Sequence, residues 1–166
     1  MDLLTIRRAE ERDAAAIADI YNHYVRTSTA TFDTTEKSEE DRIGWLEGHG
    51  EDHPVLIAEH DNVLVAWGSL SSWALRPAWS HTVEVSVYVD HSRTGSGYGP
   101  MMLEALVEMG RRAGHHALIA QIVAENEPSL KMAERAGFER VGTLKEVGYK
   151  FGRWLDLALV ERVLTE

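Results

Sequence analysis

Hydrophobic positions along the chain switch between two periods, the alternation of a half-buried strand and the 3.6-residue stripe of an amphipathic helix. The run "LLTIRRA", residues 3–9, predicts a first strand. "ERDAAAIADIYNHYVRTS", residues 11–28, places Ala16, Ile17, Ile20, Tyr21 and Tyr24 on one face and predicts a helix with Asp13 as N-cap. The polar, β-branched "STATFDTT" around Phe32 reads as a connector. "KSEEDRIGWLEGHG" predicts a second helix that starts at Ser38, with Asp41 completing a capping box, and ends near Gly48 or Gly50. "PVLIAEH" and "VLVAWGSLSSW" flank the turn residues Asp61 and Asn62 and predict a hairpin.

After the loop "LRPAWSHT", the segment "VEVSVYV", residues 83–89, alternates more cleanly than any other. Three glycines follow, Gly95, Gly97 and Gly99, and then "GPMMLEALVEMGRRAG", a helix with Met102, Leu103, Leu106 and Val107 on its buried stripe. "HHALIAQIV", residues 115–123, predicts a central strand. "ENEPSLKMAERAGF" predicts a helix with Pro128 in its first turn and Gly137 as its stop. Residues 139–164 supply two closing strands. The order predicts one α+β domain over residues 1–166, built on a largely antiparallel sheet and without repeats or linkers.

Composition narrows the function. A chain of 166 residues with 44% hydrophobic content can bury a substantial core. A net charge of -10 argues against broad nucleic-acid binding, so an anionic ligand must be held by local groups. There is no cysteine, and no spacing among the eight histidines resembles a metal site, so no metal is expected. The N-terminus lacks the apolar run of a signal peptide and no stretch is long enough to span a bilayer. A cytoplasmic protein without membrane contact is the expectation.

The glycines pose the sharpest question, because three of them cost backbone entropy and pack nothing. Either they form a flexible loop, or they bare the N–H groups that open a helix, which is how proteins hold phosphates. Two familiar phosphate motifs fail. A nucleotidase loop ends in Gly-Lys-Ser/Thr, whereas Pro100 follows Gly99, and a G-x-G-x-G spacing is not the dinucleotide G-x-G-x-x-G.

From about Thr5 to the C-terminus the chain resembles the GNAT superfamily of acyl-CoA-dependent N-acyltransferases. The segments "IYNHYV", "TATFD", "HTVEVSVYV", "NEPSLKMAERAGF" and "VGYKFGRWLDL" are similar to the phosphinothricin and methionine sulfoximine N-acetyltransferases within it. The resemblance implies the GNAT fold, a mixed, mostly antiparallel twisted sheet flanked by helices. It also implies acetyl transfer from acetyl-CoA to the amino group of a small L-amino acid or analogue, by a homodimer. The implied cofactor site comprises Arg93, Gly95, Ser96, Gly97, Tyr98, Gly99 and Pro100 around the pyrophosphate. Val87, Tyr88 and Val89 would offer backbone groups to the pantetheine, with Asn126 and Ser129 at the next helix start. Thr94 stands where the family carries Gln or Arg, and Arg93 would supply the cation instead.

The same resemblance makes Glu84 the general base, with the Val87 N–H donating to the thioester oxygen. Ala133 stands where relatives carry a Tyr or His proton donor, which leaves Tyr149 and Tyr88 as candidates. Phe32, Leu75, Arg76, Glu84, Val85 and Ser86 are the implied acceptor residues, with Arg76 gripping a carboxylate and Tyr21 and Asn22 as further wall. Lys150, Trp154 and Asp156 read as packing residues. Two alternatives stay open: an acceptor that is a protein N-terminus or lysine, and a non-catalytic acetyl-CoA sensor.

Overall fold

A computed structural model describes residues 3–165. Its strands are β1 (Leu4–Arg8), β2 (Val55–His60), β3 (Val63–Ser72), β4 (Thr82–Val89), β5 (Ala117–Val123), β6 (Glu139–Lys150) and β7 (Arg153–Val163). Its α-helices are α1 (Ala14–Thr27), α2 (Glu39–Glu47), α3 (Tyr98–Arg112) and α4 (Glu127–Arg135). The strands form one sheet in the order β1-β2-β3-β4-β5-β7-β6. Every neighbouring pair is antiparallel except β4 and β5, so the sheet is mixed, as the α+β reading expects.

Local chemistry places the turns. Asp61 and Asn62 both take positive φ, 51° and 67°, which is the two-residue hairpin geometry whose twist matches β2 and β3. Phe151 and Gly152, at 54° and 76°, do the same between β6 and β7. Ser38 accepts from the Asp41 amide and Asp41 returns a bond to the Ser38 amide, the expected capping box of α2.

Two boundaries differ from the sequence reading. Asp13 does not cap α1 with its side chain: Glu11–Asp13 is a 3-10 turn, and the Asp13 carboxylate accepts from the Glu10 amide at 2.7 Å. Arg7 on β1, 2.8 Å away, holds the same carboxylate. His115 and His116 precede β5 rather than opening it, because His115 is buried with Nε2 on the Asp52 carbonyl.

Helices cover both faces of the sheet. α3 and α4 bury Met102, Leu103, Leu106 and Ala133 against Val65, Leu70, Val83, Val85 and Leu118. On the other face Ile17, Ile20, Tyr21 and Val25 of α1 pack with Val55, Ile57 and Trp67. β2 therefore buries both its faces, which is why "VLIA" runs apolar without alternation. Among the described residues no helix is long and apolar enough to cross a membrane.

Candidate active site

β4 and β5 part company. Their parallel pairing runs from Thr82/Ala117 only to Glu84/Ile119, although β4 continues to Val89 and β5 to Val123. Beyond Glu84 one edge of β4 therefore faces a gap. The ladder to β3 determines which backbone groups point there. Asp90 N–H donates to the Val65 carbonyl at 2.9 Å, and antiparallel pairs alternate between bonded and non-bonded. With Ala66 opposite Val89, Trp67 opposite Tyr88 and Gly68 opposite Val87, the backbone of Tyr88 is engaged with β3. The Val85 carbonyl and the amide and carbonyl groups of Val87 and Val89 point into the gap, while the Val85 amide belongs to the last rung with Ile119. Tyr88 thus does not offer its backbone there as expected, and the Val89 carbonyl already accepts from the Tyr24 hydroxyl at 2.5 Å.

The gap opens a cavity of about 540 Å³ between the β4 edge, Ala120 and Ile122 of β5, and the N-termini of α3 and α4. Arg93, Thr94, Gly95, Gly97, Tyr98, Gly99, Pro100, Asn126 and Ser129 line it; Ser96 does not. The three glycines have two different reasons. Gly95 and Gly97 sit at φ +80° and +86°, and a Cβ on either would meet nothing within 4 Å. They bend the chain so that the loop stays open on the cavity side. Gly99 is needed for packing, since its Cβ would lie 3.0 Å from Met132 Sδ. Among the described residues the amides of Gly95, Ser96 and Gly97 make no hydrogen bond within the protein. Among the described residues Arg93 beside them forms no ion pair, although its charge helps to hold the Asp90 carboxyl below its ordinary pKa. Free amides, a helix N-terminus and an unpaired cation suit a phosphate-bearing ligand.

Asn126 joins both of its readings. Its Oδ1 accepts the Ser129 amide at 3.3 Å as an N-cap, its backbone amide donates to the Val123 carbonyl, and its side-chain Nδ2 remains for the cavity. The Tyr98 hydroxyl shares a hydrogen bond with His60 Nδ1, so Tyr98 meets the cavity only around its helix start.

A second cavity, of about 320 Å³, lies on the opposite side of the sheet plane, under α1, α2 and the connector. Strand alternation builds its floor: Trp67/Tyr88, Ser69/Ser86 and Ser71/Glu84 are cross-strand pairs whose side chains share one face. Val85 points the other way, into the core and the first cavity, so it does not line this one. Phe32, Tyr21, Arg42, Trp45 and Asp33 complete the wall. Ser86, Tyr88, Gln121, Val123 and Ala30 line both cavities, which marks where the two meet.

The connector that roofs this cavity is tied down by Lys150. Its buried Nζ donates to the carbonyls of Ser28 at 2.7 Å and Thr31 at 2.8 Å, and burial pushes its pKa below the ordinary lysine value. Thr31 Oγ1 then meets the Tyr21 hydroxyl at 2.7 Å, and Tyr21 also donates to Asp33. Asn22 holds the connector from outside, exchanging two hydrogen bonds with the Lys37 backbone, and is not wall as expected.

Glu84 sits at the end of the β4–β5 pairing, half-buried, with Gln121 Nε2 donating to it at 3.1 Å. Burial pushes its pKa up, and the Gln121 hydrogen bond offsets that only in part. Burial likewise pushes the Tyr88 hydroxyl up to about 12.

Three expected residues lie elsewhere. Tyr149 is 59% exposed against Trp154 and lines neither cavity. Leu75 is 98% exposed, and Arg76 lies on the surface just before the short turn Pro77–Trp79; both are outside the cavities. The family resemblance put Leu75 and Arg76 at the acceptor, and Tyr149 stood in for the proton donor missing at Ala133; here the 73–81 loop turns outward and Tyr149 packs on Trp154. The sequence reading missed Arg42, Trp67, Gln121 and Tyr24, whose periodicity read only as helix or strand core. Among the described residues no cluster of three His, Asp or Glu could hold a metal.

The chain matches the family described as Acetyltransferase (GNAT) domain over residues 6–159. It is 37% identical over 164 residues to the phosphinothricin N-acetyltransferase of Streptomyces coelicolor, covering 96% of this chain and 95% of that protein. It is similar to the yncA protein of Salmonella typhimurium, solved with its cofactor acetyl-CoA, at TM-score 0.94 and 35% identity, over 98% of this chain and 95% of the other. A ribosomal-protein-alanine N-acetyltransferase from Brucella melitensis superposes at TM-score 0.94 with 40% identity, over 96% and 99% of the two chains.

Proposed function

The chain belongs to the GNAT family of acetyltransferases, and from that premise we propose that it acetylates the amino group of a small L-amino acid or analogue. Acceptors of the phosphinothricin, methionine sulfoximine or methionine sulfone type fit this reading. The observation that carries it is the meeting of the two cavities at Ser86, Tyr88 and Gln121, with Glu84 in the smaller one. Acetyl-CoA, lying in the larger cavity, supplies the acetyl thioester. Gly95 to Gly99 and Arg93 hold its pyrophosphate, and the free edge of β4 takes the pantetheine as an added strand would.

Glu84 acts as general base. An α-amino group is mostly protonated at neutral pH, and a carboxylate lifted by burial accepts its proton more readily than an ordinary one. The neutral nitrogen attacks the thioester carbon, and the Val87 amide, which points into the gap, donates to the oxygen as charge builds there. The C–S bond breaks with its electron pair on sulfur. The second amine proton passes to the thiolate through solvent, and Glu84 returns its own to water. Burial holds the Tyr88 proton more tightly than that of an ordinary phenol, which makes it a weak acid for the thiolate.

The ribosomal-protein-alanine acetyltransferase likeness favours a second reading, a polypeptide N-terminus as acceptor. A cavity of only about 320 Å³, walled by Phe32, Trp45 and the connector, supports the small acceptor over it. Thiol release measured over a panel of amino acids and one Ala-terminated peptide decides between them. Release with phosphinothricin or methionine sulfone is the expected result. Release with the peptide alone favours the second reading, and none at all makes the protein an acetyl-CoA sensor.

Phe32 gives a local test of the smaller cavity. A Cβ on Gly148 would lie 2.5 Å from the Phe32 ring, so glycine at this β-bulge seats the ring over the pocket. Gly148→Ala should lower kcat/KM for the amino acid by about tenfold, as expected for a displaced positioning group, while KM for acetyl-CoA holds. Equal loss for both substrates would show a general folding defect.

The active form we propose is a homodimer that covers the apolar outer strands. Val141, Leu144, Val147, Tyr149 and Trp154 are each at least 44% exposed along β6 and β7. Sedimentation equilibrium should return twice the 18.6 kDa chain mass, and Val147→Lys should return one. A wild-type protein that stays at one chain mass rejects the dimer.

A further inference from the structure

Arg42 is a buried cation without a partner. It projects from α2 into the smaller cavity, 8% exposed, and among the described residues its side chain forms no hydrogen bond or ion pair. Its Nε is fully buried and unsatisfied. The guanidinium is held in place by aromatic faces, 4.5 Å from the Trp45 ring centroid and 5.4 Å from that of Tyr21. Asp33 and Glu84 line the same cavity but neither pairs with it: Asp33 takes the Tyr21 hydroxyl, and Glu84 takes Gln121. A second orphan belongs to a residue of the same cavity wall. The Trp67 indole Nε1–H is buried without an acceptor, and its ring packs 5.3 Å from Trp45.

Buried donors without partners are costly, and a desolvated guanidinium most of all. Asp33 and Asp41 attract the guanidinium only through space, so the two donors still lack a hydrogen-bond acceptor. We propose that Arg42 and the Trp67 indole N–H form the subsite that binds the acidic oxygen group of the acceptor amino acid. The proposal rests on the acetyltransferase reading for its ligand class, and it places a specificity cation, Arg42, inside the cavity itself. The Arg fork gives two parallel donors to a carboxylate or a phosphinate, and the indole adds a third from the side. An acceptor whose acid is neutralised leaves these donors unpaired, so the site rejects it.

Phosphinothricin, which carries both a carboxylate and a phosphinate, is the probe. Its binding to the full chain in the presence of coenzyme A is followed by the indole N–H resonance of Trp67, identified by its loss in Trp67→Phe. Binding should shift that resonance, and Arg42→Gln should weaken affinity about ten- to a hundredfold. Arg42→Lys, which keeps charge and loses the fork, should fall between. The α-carboxamide of phosphinothricin then assigns the group. Affinity that still depends on Arg42 marks the phosphinate, and affinity that no longer does marks the carboxylate. Unchanged affinity in folded Arg42→Gln, an unmoved Trp67 signal, or no binding by the wild type overturns the proposal. Thiol release by the wild type with any amino acid upholds the acetyltransferase reading whatever Arg42 does, so the two fail separately.

Discussion

Glu84→Gln should lose turnover by about 10²- to 10⁴-fold, the range that general-base catalysis contributes. The substitution keeps the shape and leaves Gln121 with a hydrogen-bond partner, so the wall between the cavities stays in place. Acetyl-CoA affinity should hold, because β4 presents backbone rather than this side chain to the larger cavity. In the wild type kcat/KM should fall as pH drops through the folded-state pKa of Glu84, at a pH above the ordinary carboxylate range. That acidic limb should flatten in the variant. Near-normal turnover at pH 7 would remove Glu84 from the chemistry.

The same residue makes a stability prediction of definite sign. A carboxyl whose folded pKa is raised binds its proton more tightly when folded than unfolded. Its contribution therefore favours folding at low pH and is lost as pH rises from the unfolded value through the folded one. At pH 7 the wild type carries that burden and Glu84→Gln does not. The thermal midpoint of the variant should equal or exceed that of the wild type, and a clear drop would mean that Glu84 stabilises the fold.

Gly97→Val should weaken acetyl-CoA binding by about a hundredfold or more. Two charge-assisted amide contacts to phosphate, each worth about 1.5–3 kcal/mol, are lost when a side chain enters the loop. The backbone adds a separate cost. At φ +86° a β-branched residue is strained, and stability should fall by about 1–3 kcal/mol. Gly97→Asn separates the two effects, since Asn tolerates the left-handed conformation but still intrudes on the ligand. Calorimetric titration with acetyl-CoA and urea unfolding measure them independently. Unchanged affinity in folded Gly97→Val would take the pyrophosphate out of this loop.

How far the sequence could be read follows from what each signal depends on. Hairpin turns at Asp61–Asn62, the Ser38–Asp41 capping box and the α3 stripe depend on neighbours within four residues, and all three stand in the structure. Glu84, Ser86 and Tyr88 share a face because a strand alternates, so the floor of the smaller cavity was legible once β4 was recognised. The family resemblance carried the GNAT fold, and the GNAT domain match and structural neighbours bear it out.

Other features belong to tertiary structure alone. The gap that bares Val87 arises because β5 leaves β4 after Glu84, a divergence of two strands that nothing in either segment encodes. Asp13 looked like a cap until Arg7, brought alongside by β1, drew its carboxylate away. Arg76 read as a carboxylate clamp from its match to the phosphinothricin enzymes, yet its loop turns to the surface. Arg42 looked like one charge among several on α2, and only the burial of that helix against Tyr21 and Trp45 makes it a cation without a partner. The sequence by itself determined the elements, their faces and the glycine loop, because those follow from short-range sterics and periodicity. Which side chains meet across the cavities, and which of them are left unpaired there, was decided only when distant segments packed, since burial and ion pairing are properties of the assembled surroundings.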